Sequence, residues 1–220
     1  MRSAYDRVVA EPGASELPIF ELGLAIVPSE RVPLHIFEER YRAMIGACLE
    51  RESPFGIVFR DDDGARAIGC TALVSEVLER YDDGRLDVIV RGGEPFRVLD
   101  RFDAPDWPAA QVEMIEHGRG EETGDELSET RAAFAELLEA VGAEPERAKQ
   151  ADDAFTIAAQ VELPGAEKQR LLEAESERDR LTALERSLKG LLAGVKRSRE
   201  IADRAKSNGH GPGRIGPPRR

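Results

Sequence analysis

Residues Val32–Met44 read VPLHIFEERYRAM, and this stretch of the 220-residue chain decides the fold. It starts as an extended apolar segment and continues as an amphipathic helix. Apolar side chains recur with the helical period of about 3.6 residues, at Phe37, Tyr41, Met44, Ile45, Cys48 and Leu49. Charged residues fill the opposite face. We therefore predict a helix that lays Phe37, Tyr41, Met44 and Cys48 on a hydrophobic core.

The residues on both sides of this helix alternate between apolar and polar, as β-strands do. The predicted strands cover 17–22, 24–28, 54–60, 67–81, 85–91, 95–102 and 110–115. Tight turns are expected where aspartates precede a glycine, at 61–64 and 82–84, and at the glycine pair 92–93. Several short strands at this spacing favour a small β-barrel over an open sheet.

A polar, glycine-containing segment at 118–124 separates the strand pattern from a helical pattern. A helix is expected over 127–141, ended by Gly142. Another is expected over 145–161, with Pro145 at its first position. The second half of the chain is therefore predicted to be helical.

A short helix at 168–172 precedes the last helix, which is expected to start at Ser176 with a capping-box-like Asp179. Its apolar positions follow a heptad spacing: Leu181, Leu184, Leu188, Leu191 and Val195. Such a seam is typical of packing on a neighbouring helix of the same domain. The alternative is a weak homodimer through this helix, so both a monomer and a dimer stay open.

These patterns predict an α+β fold with four segments. Residues 1–15 form a flexible N-terminus and residues 16–117 a β-barrel with one inserted helix. Residues 125–206 form a helical bundle that ends in a long helix, and residues 207–220 a disordered basic tail.

Two separate blocks resemble the N-terminal domain of Lon proteases. The first is the apolar pair 17–22 and 24–28 followed by PLHIFEERYRAM. The second contains Leu163-Pro164, Glu167-Lys168-Gln169, Leu171-Leu172-Glu173 and Arg180-Leu181, in that order. The resemblance covers about Glu16 to Arg199. It implies a PUA-like barrel followed by a helical bundle, as in bacterial proteins that carry this domain without the ATPase and protease domains.

The sequence lacks the residues that ATP or peptide hydrolysis would need. It contains no GxxxxGK[ST] phosphate loop, and none of its five lysines follows such a glycine pattern. His35, His117 and His210 are dispersed and give no metal-binding pair. His35 is interpreted as a helix-entry histidine whose ring hydrogen-bonds locally. We therefore expect no catalytic residue, no cofactor and no metal.

The resemblance implies a non-catalytic module that binds unfolded or tagged protein substrates, acting as an adaptor or a chaperone-like binder. A Lon protease is a candidate partner. Small barrels bind extended peptides at an open strand edge or in an apolar groove. The candidate peptide-binding residues lie in the segment 26–34 and just after it: Val27, Pro28, Val32, Pro33, Leu34 and His35. The alternative is that this segment is a buried crossover.

RNA binding is the runner-up, because the Lon N-terminal barrel is similar to the PUA fold and the tail is basic. From Lys196 onward eight basic residues outnumber two acidic ones, which gives the tail a net charge of +6 and the remainder −18. An acidic body repels phosphates, so nucleic acid is not the expected partner. A small-ligand pocket is a third possibility, from the likeness of this domain to part of cereblon.

The cellular location follows from what the sequence does not contain. No apolar run is long enough for a membrane helix, and the first residues do not resemble a signal peptide. A cytoplasmic protein without membrane contact is expected. Cys48 and Cys70 are accordingly predicted to be buried free thiols.

Overall fold

The computed structural model describes residues 14–104, 106–116 and 123–208. Within these ranges the strands are β1 (Ala14–Leu22), β2 (Arg31–Ile36), β3 (Phe55–Asp61), β4 (Gly64–Ala65), β5 (Ile68–Arg80), β6 (Leu86–Asp103) and β7 (Pro108–Met114). The α-helices are α1 (Glu39–Arg51), α2 (Gly124–Val141), α3 (Ala154–Ala158), α4 (Gly165–Glu173) and α5 (Glu177–Asn208). A 3₁₀ helix covers Pro145–Gln150.

Five strands close a small barrel in the order β1-β7-β6-β5-β3, because β1 also pairs in parallel with β3. The strand β2 lies outside this ring and pairs in antiparallel register with the first half of β6. The helix α1 is inserted between β2 and β3, and the remaining helices follow the barrel. The predicted α+β fold, a barrel with one inserted helix and a long final helix, is confirmed.

The helix α1 buries the stripe that its sequence predicts, with one exception. Tyr41, Met44, Ile45 and Cys48 are buried, whereas Phe37 is 61% exposed. The prediction that Phe37 faces the core is wrong, because the helix starts only at Glu39. Phe37 lies in the link after β2, where the helical period does not apply.

One predicted strand and one predicted turn are also wrong. Residues 24–28 form no strand; Ala25, Ile26 and Val27 are buried in a connection that ends in a turn. The glycine pair 92–93 is not a turn either, since β6 runs through it without interruption. Residues 24–28 are apolar because they are buried, not because they form a strand. The two glycines mark a bulge in the pairing of β6 with β5 and not a turn.

The helical half follows the predicted order with one break. Gly142 ends α2 in the left-handed conformation (φ 78°), as predicted. The single helix expected over 145–161 is instead a 3₁₀ helix followed by α3. The carboxylate of Asp153 accepts a hydrogen bond from the backbone N–H of Thr156 at 2.7 Å, so Asp153 starts a new helix there.

The helix α5 begins as predicted, since the Ser176 hydroxyl accepts from the backbone N–H of Asp179 at 3.1 Å. Leu181, Leu184 and Leu188 are fully buried, and α5 packs against α2 of the same chain. The helix ends at Asn208, two residues past the expected boundary at 206. The strand β1 begins at Ala14, two residues before the expected start of the barrel at 16. The rest of the predicted flexible N-terminus (1–13) and of the basic tail (209–220) lies outside the described residues.

Among the described residues, the larger of two buried apolar clusters is shared by the barrel and the helices, with side chains from β3, α1, α2, α4 and α5. The smaller one lies among the barrel strands β1, β3, β6 and β7. The helix α4 comes close to β3 at Gly165. A methyl group at this position would lie 3.0 Å from the ring of Phe59. In the described part of the chain, no helix is both long and apolar enough to cross a membrane.

Candidate functional site

A tight turn at Val27–Glu30 connects β1 to β2. The backbone N–H of Glu30 donates to the carbonyl of Val27 at 3.1 Å, and Ser29 adopts the left-handed conformation with φ 67°. The side chain of Glu30 folds back, and its Oε2 accepts from the backbone N–H of Val27 at 3.1 Å. The turn is therefore fixed by both its backbone and the carboxylate of Glu30.

Gly92 holds this turn against β6. The backbone N–H of Ser29 donates to the Gly92 carbonyl, and the N–H of Gly92 donates to the Glu30 carbonyl, both at 2.9 Å. A methyl group at position 92 would lie 2.1 Å from the carbonyl oxygen of Val27. Only glycine lets the two backbones approach so closely.

A bulge follows directly. The register of β5 and β6 shifts between Cys70 and Ala72, and the Thr71 hydroxyl accepts from the backbone N–H of Glu94 at 2.8 Å. Gly93 makes room for this contact, since a methyl group there would lie 2.5 Å from Thr71 Oγ1. Beyond the bulge, Leu73 pairs with Arg91 and its side chain points to solvent at 47% exposure.

The turn, the end of α1 and this part of β5 and β6 enclose a surface groove of about 790 Å³, named here the Leu73 groove. Its apolar walls come from Pro28, Leu49, Leu73 and Val74, with Cys48 beside them. The other lining residues are polar, charged or glycine: Ser29, Glu52, Ser53, Ser75, Arg91, Gly92, Gly93 and Glu94. The groove thus combines an apolar surface with charges of both signs.

The groove offers little for catalysis. Cys48 lies in the groove lining, and a cysteine acts as a nucleophile in its thiolate form. Burial raises the pKa of this thiol, which disfavours the thiolate. Burial also raises the pKa of Cys70, which lies in the barrel as a second free cysteine. Both cysteines are buried and unpaired, as predicted. In the described ranges, no group of three or more His, Cys, Asp and Glu side chains could hold a metal ion.

The six predicted peptide-binding residues do not form one site. Val27 and Leu34 are buried in the core, and Val32 is half-buried. Pro28 lines the Leu73 groove. Pro33 and His35 are exposed on β2, away from the groove lining. Val27 and Leu34 are thus core residues, Val27 in the connection between β1 and β2 and Leu34 in β2 itself.

His35 is a strand residue rather than a helix-entry residue. Its Nδ1 lies 2.5 Å from Asp87 Oδ1 on the neighbouring strand β6, and Tyr81 donates its hydroxyl proton to Asp87 Oδ2 at 2.7 Å. The hydrogen bond with His35, followed by that from Tyr81, lowers the pKa of Asp87. The bond to Asp87 raises the pKa of Tyr81 to about 12. This cluster ties β2 to the β5–β6 hairpin.

Sequence reading missed the residues that make most of the groove: Leu49, Leu73, Val74 and Arg91. One signal was present. Two adjacent glycines inside a strand pattern often mark a bulge or a close backbone approach, and Gly92 and Gly93 do both.

Residues 16–190 match the family described as the ATP-dependent protease La (LON) substrate-binding domain. The Lon N-terminal domain protein from Xanthomonas campestris has a similar structure, with a TM-score of 0.62, 22% identity, and coverage of 77% of this chain and 96% of that chain. The N-terminal domain of the Mycobacterium avium complex Lon protease gives a TM-score of 0.62 and 23% identity, over 80% of this chain and 98% of that chain.

At these identities the two structures show a common fold. The family match shows more, because it spans the barrel from residue 16 on, α1 to α4, and α5 as far as Gly190. It also includes both sequence blocks that resemble Lon proteases. This chain therefore belongs to the LON substrate-binding domain family.

Proposed function

We propose that this chain recognises protein substrates by holding an extended apolar segment of an unfolded or tagged polypeptide in the Leu73 groove. It does so as a non-catalytic adaptor or chaperone-like binder in the cytoplasm, without a cofactor, and a Lon protease is its candidate partner. The family supports substrate recognition in general. The groove is the part of the surface that we assign to it.

One observation carries this assignment: a leucine is 47% exposed inside a concave surface. Isolated apolar side chains on a convex surface are common and need no partner. Leu73 instead lies beside Pro28, Leu49 and Val74, so a bound apolar side chain would lose water-exposed area on several sides at once. A volume of about 790 Å³ accommodates a few side chains of an extended segment.

The free edge of β2 is the other place where a peptide could bind, by adding a strand. Among the described residues β2 pairs with β6 alone, so its other edge is open. However, Pro33 stands in the middle of this short strand and has no N–H to donate. His35, the next residue on the same face, is already bound to Asp87. We therefore favour the groove over the edge.

RNA binding is less well supported, because six arginines of the barrel and α1 have neighbouring carboxylates as partners. Arg31 pairs with Glu76 at 3.2 Å, and Arg60 pairs with Glu21 at 2.6 Å. Arg40, Arg66, Arg85 and Arg101 also have carboxylate partners. A phosphate backbone needs a surplus of positive charge on the surface that binds it.

The test compares two exposed leucines. Leu73→Glu puts a charge into the groove, and Leu99→Glu puts one on β6 outside it, at a similar 51% exposure. The probe is fluorescein-labelled, carboxymethylated lactalbumin, which stays unfolded, and binding is followed by fluorescence anisotropy. We expect Leu73→Glu to weaken binding about tenfold or more, equivalent to ~1.4 kcal/mol, and Leu99→Glu to change it little.

Equal effects of the two substitutions would contradict the groove assignment, and so would a wild-type protein that does not bind the probe. Protection of a denatured client protein from aggregation should likewise be weakened by Leu73→Glu and little changed by Leu99→Glu. Binding of a single-stranded RNA in place of the polypeptide would favour the alternative function.

A further inference from the structure

A buried ion pair joins the helical half of the chain to the turn beside the groove. Lys168 on α4 donates from Nζ to Oε1 of Glu30, although the two residues are 138 positions apart. Lys168 is 9% exposed and Glu30 is 8% exposed. Both charges are thus largely removed from water, and each depends on the other for compensation.

The carboxylate of Glu30 has a separate role for each of its oxygens. Oε1 accepts from Lys168, whereas Oε2 accepts from the backbone N–H of Val27 at 3.1 Å. If α4 moved away, the carboxylate would be left buried without a counter-charge, which is strongly unfavourable. It would then have to rotate toward water and release the N–H of Val27.

This turn forms one wall of the Leu73 groove. Pro28 and Ser29 line the groove. Both lie between Val27 and Glu30, which the hydrogen bond from the Val27 N–H to the Glu30 carboxylate connects. Ser29 has a positive φ of 67°, which a serine adopts only where the surroundings impose it. The backbone bond from Ser29 to Gly92 and the carboxylate of Glu30 are the contacts that do so.

We propose that Lys168 is a positioning residue for the Leu73 groove. It touches no bound polypeptide, and acts through Glu30 by fixing the wall formed by Pro28 and Ser29. The docking of α4 on the barrel consequently sets how tightly the groove holds its ligand, and ligand binding in turn stabilises that docking. The inference rests on the proposed function of the groove.

The neighbouring residue Gln169 provides a matched control. It is also buried on α4, and its Nε2 donates to the carbonyl of Ile68 on β5 at 3.0 Å. Its side chain also bonds to Glu173, and no bond of Gln169 reaches the turn in the part of the chain that the structure describes. Lys168→Met and Gln169→Met therefore each remove one polar anchor of the same helix, and only the first releases Glu30.

The test measures two quantities on the full chain, at a temperature well below unfolding. The first is hydrogen exchange at the amides of Val27, Ser29 and Gly92. The second is the affinity for unfolded, carboxymethylated lactalbumin. For Lys168→Met we expect about tenfold faster exchange at these amides and binding weakened by about fivefold or more. For Gln169→Met we expect exchange and binding close to those of the wild type.

Lys168→Met leaves a carboxylate buried alone and could fail to fold, so Glu30→Gln/Lys168→Met is the second variant. It removes both charges, so that no charge is left buried at these two positions. The neutral amide at position 30 has lost its tie to α4, and it accepts a weaker hydrogen bond from the Val27 N–H than a carboxylate does. Faster exchange and weaker binding are still expected. Wild-type exchange in this variant, or equal effects of Lys168→Met and Gln169→Met, would overturn the proposal. If the wild type does not bind lactalbumin, the proposed function fails. Independently of that result, amide exchange left unchanged by Lys168→Met would overturn the positioning role.

Discussion

A methyl group at Gly92 would have to occupy the place of the Val27 carbonyl oxygen, at 2.1 Å. We expect Gly92→Ala to push the turn off β6 and to break the backbone bonds that Gly92 makes with Ser29 and Glu30. The free energy of unfolding in urea should fall by ~1–3 kcal/mol. Gly46→Ala is the control. Gly46 lies on α1, and a methyl group at this position would meet no atom within 4 Å. That substitution should stabilise by ~0.5–1 kcal/mol.

The second prediction at the scale of single residues concerns two apolar side chains, one just before α1 and one within it. Met44 is fully buried, so Met44→Ala should lower the free energy of unfolding by ~2–5 kcal/mol. Phe37 is mostly exposed, so Phe37→Ala should change it by less than ~1 kcal/mol. Urea unfolding of both variants decides the matter. A large loss for Phe37→Ala would mean that this ring is covered by a partner surface.

Phe37 and Pro28 show how far single residues could be predicted. The sequence period identified Tyr41, Met44 and Cys48 as buried, but it cannot tell where the first turn of a helix begins. Of the predicted binding residues, Pro28 alone lines the groove. The others that line it, such as Leu73 and Arg91, come together through strand pairing across a bulge. The glycine pair 92–93 signals a bulge, but no local pattern gives the register that brings these residues together.

At the scale of elements, the β5–β6 hairpin should respond to alkaline pH through Tyr81. Its pKa is raised to about 12, first by the hydrogen bond to Asp87, whereas an unfolded tyrosine titrates near ~10. The contribution to stability is therefore present in full below pH ~10 and lost as the pH rises toward the folded value. Tyrosinate absorbance should show a late-titrating group that Tyr81→Phe removes, whereas the pKa of Tyr41, which burial raises, should stay unchanged by that substitution. Tyrosines that all titrate at the ordinary value would contradict this.

Most elements could be predicted from sequence, because their periods and end signals are local. The Asp-Gly turns, Gly142 at the end of α2 and Ser176 at the start of α5 are examples. The errors have two causes. Asp153 starts a new helix inside the stretch 145–161 through a local cap that the apolar period hides. Gly92 continues a strand where two glycines suggested a turn, because it packs on the distant Val27–Glu30 turn.

For the whole molecule, the shared core predicts one cooperative unfolding transition. The main buried cluster includes Phe55 and Ile57 of the barrel together with Phe134 and Leu184 of the helices. Neither half can unfold alone without exposing apolar surface of the other half to water. Calorimetry and circular dichroism should give coincident midpoints. Two separated transitions would instead support independent subdomains with the boundaries expected at 16–117 and 125–206.

The length of α5 has a consequence of its own. Past Leu192, none of the described side chains of this helix, up to Arg204, is buried. A helical segment of this size is marginal in water when nothing packs on it, so the end of α5 should fray and re-form while the rest stays folded. Lys196, Arg197 and Arg199 offer trypsin its cleavage sites there. Brief digestion should therefore trim the chain to a resistant fragment that ends at Lys196 or a few residues later, shortly past residue 190, where the family match ends.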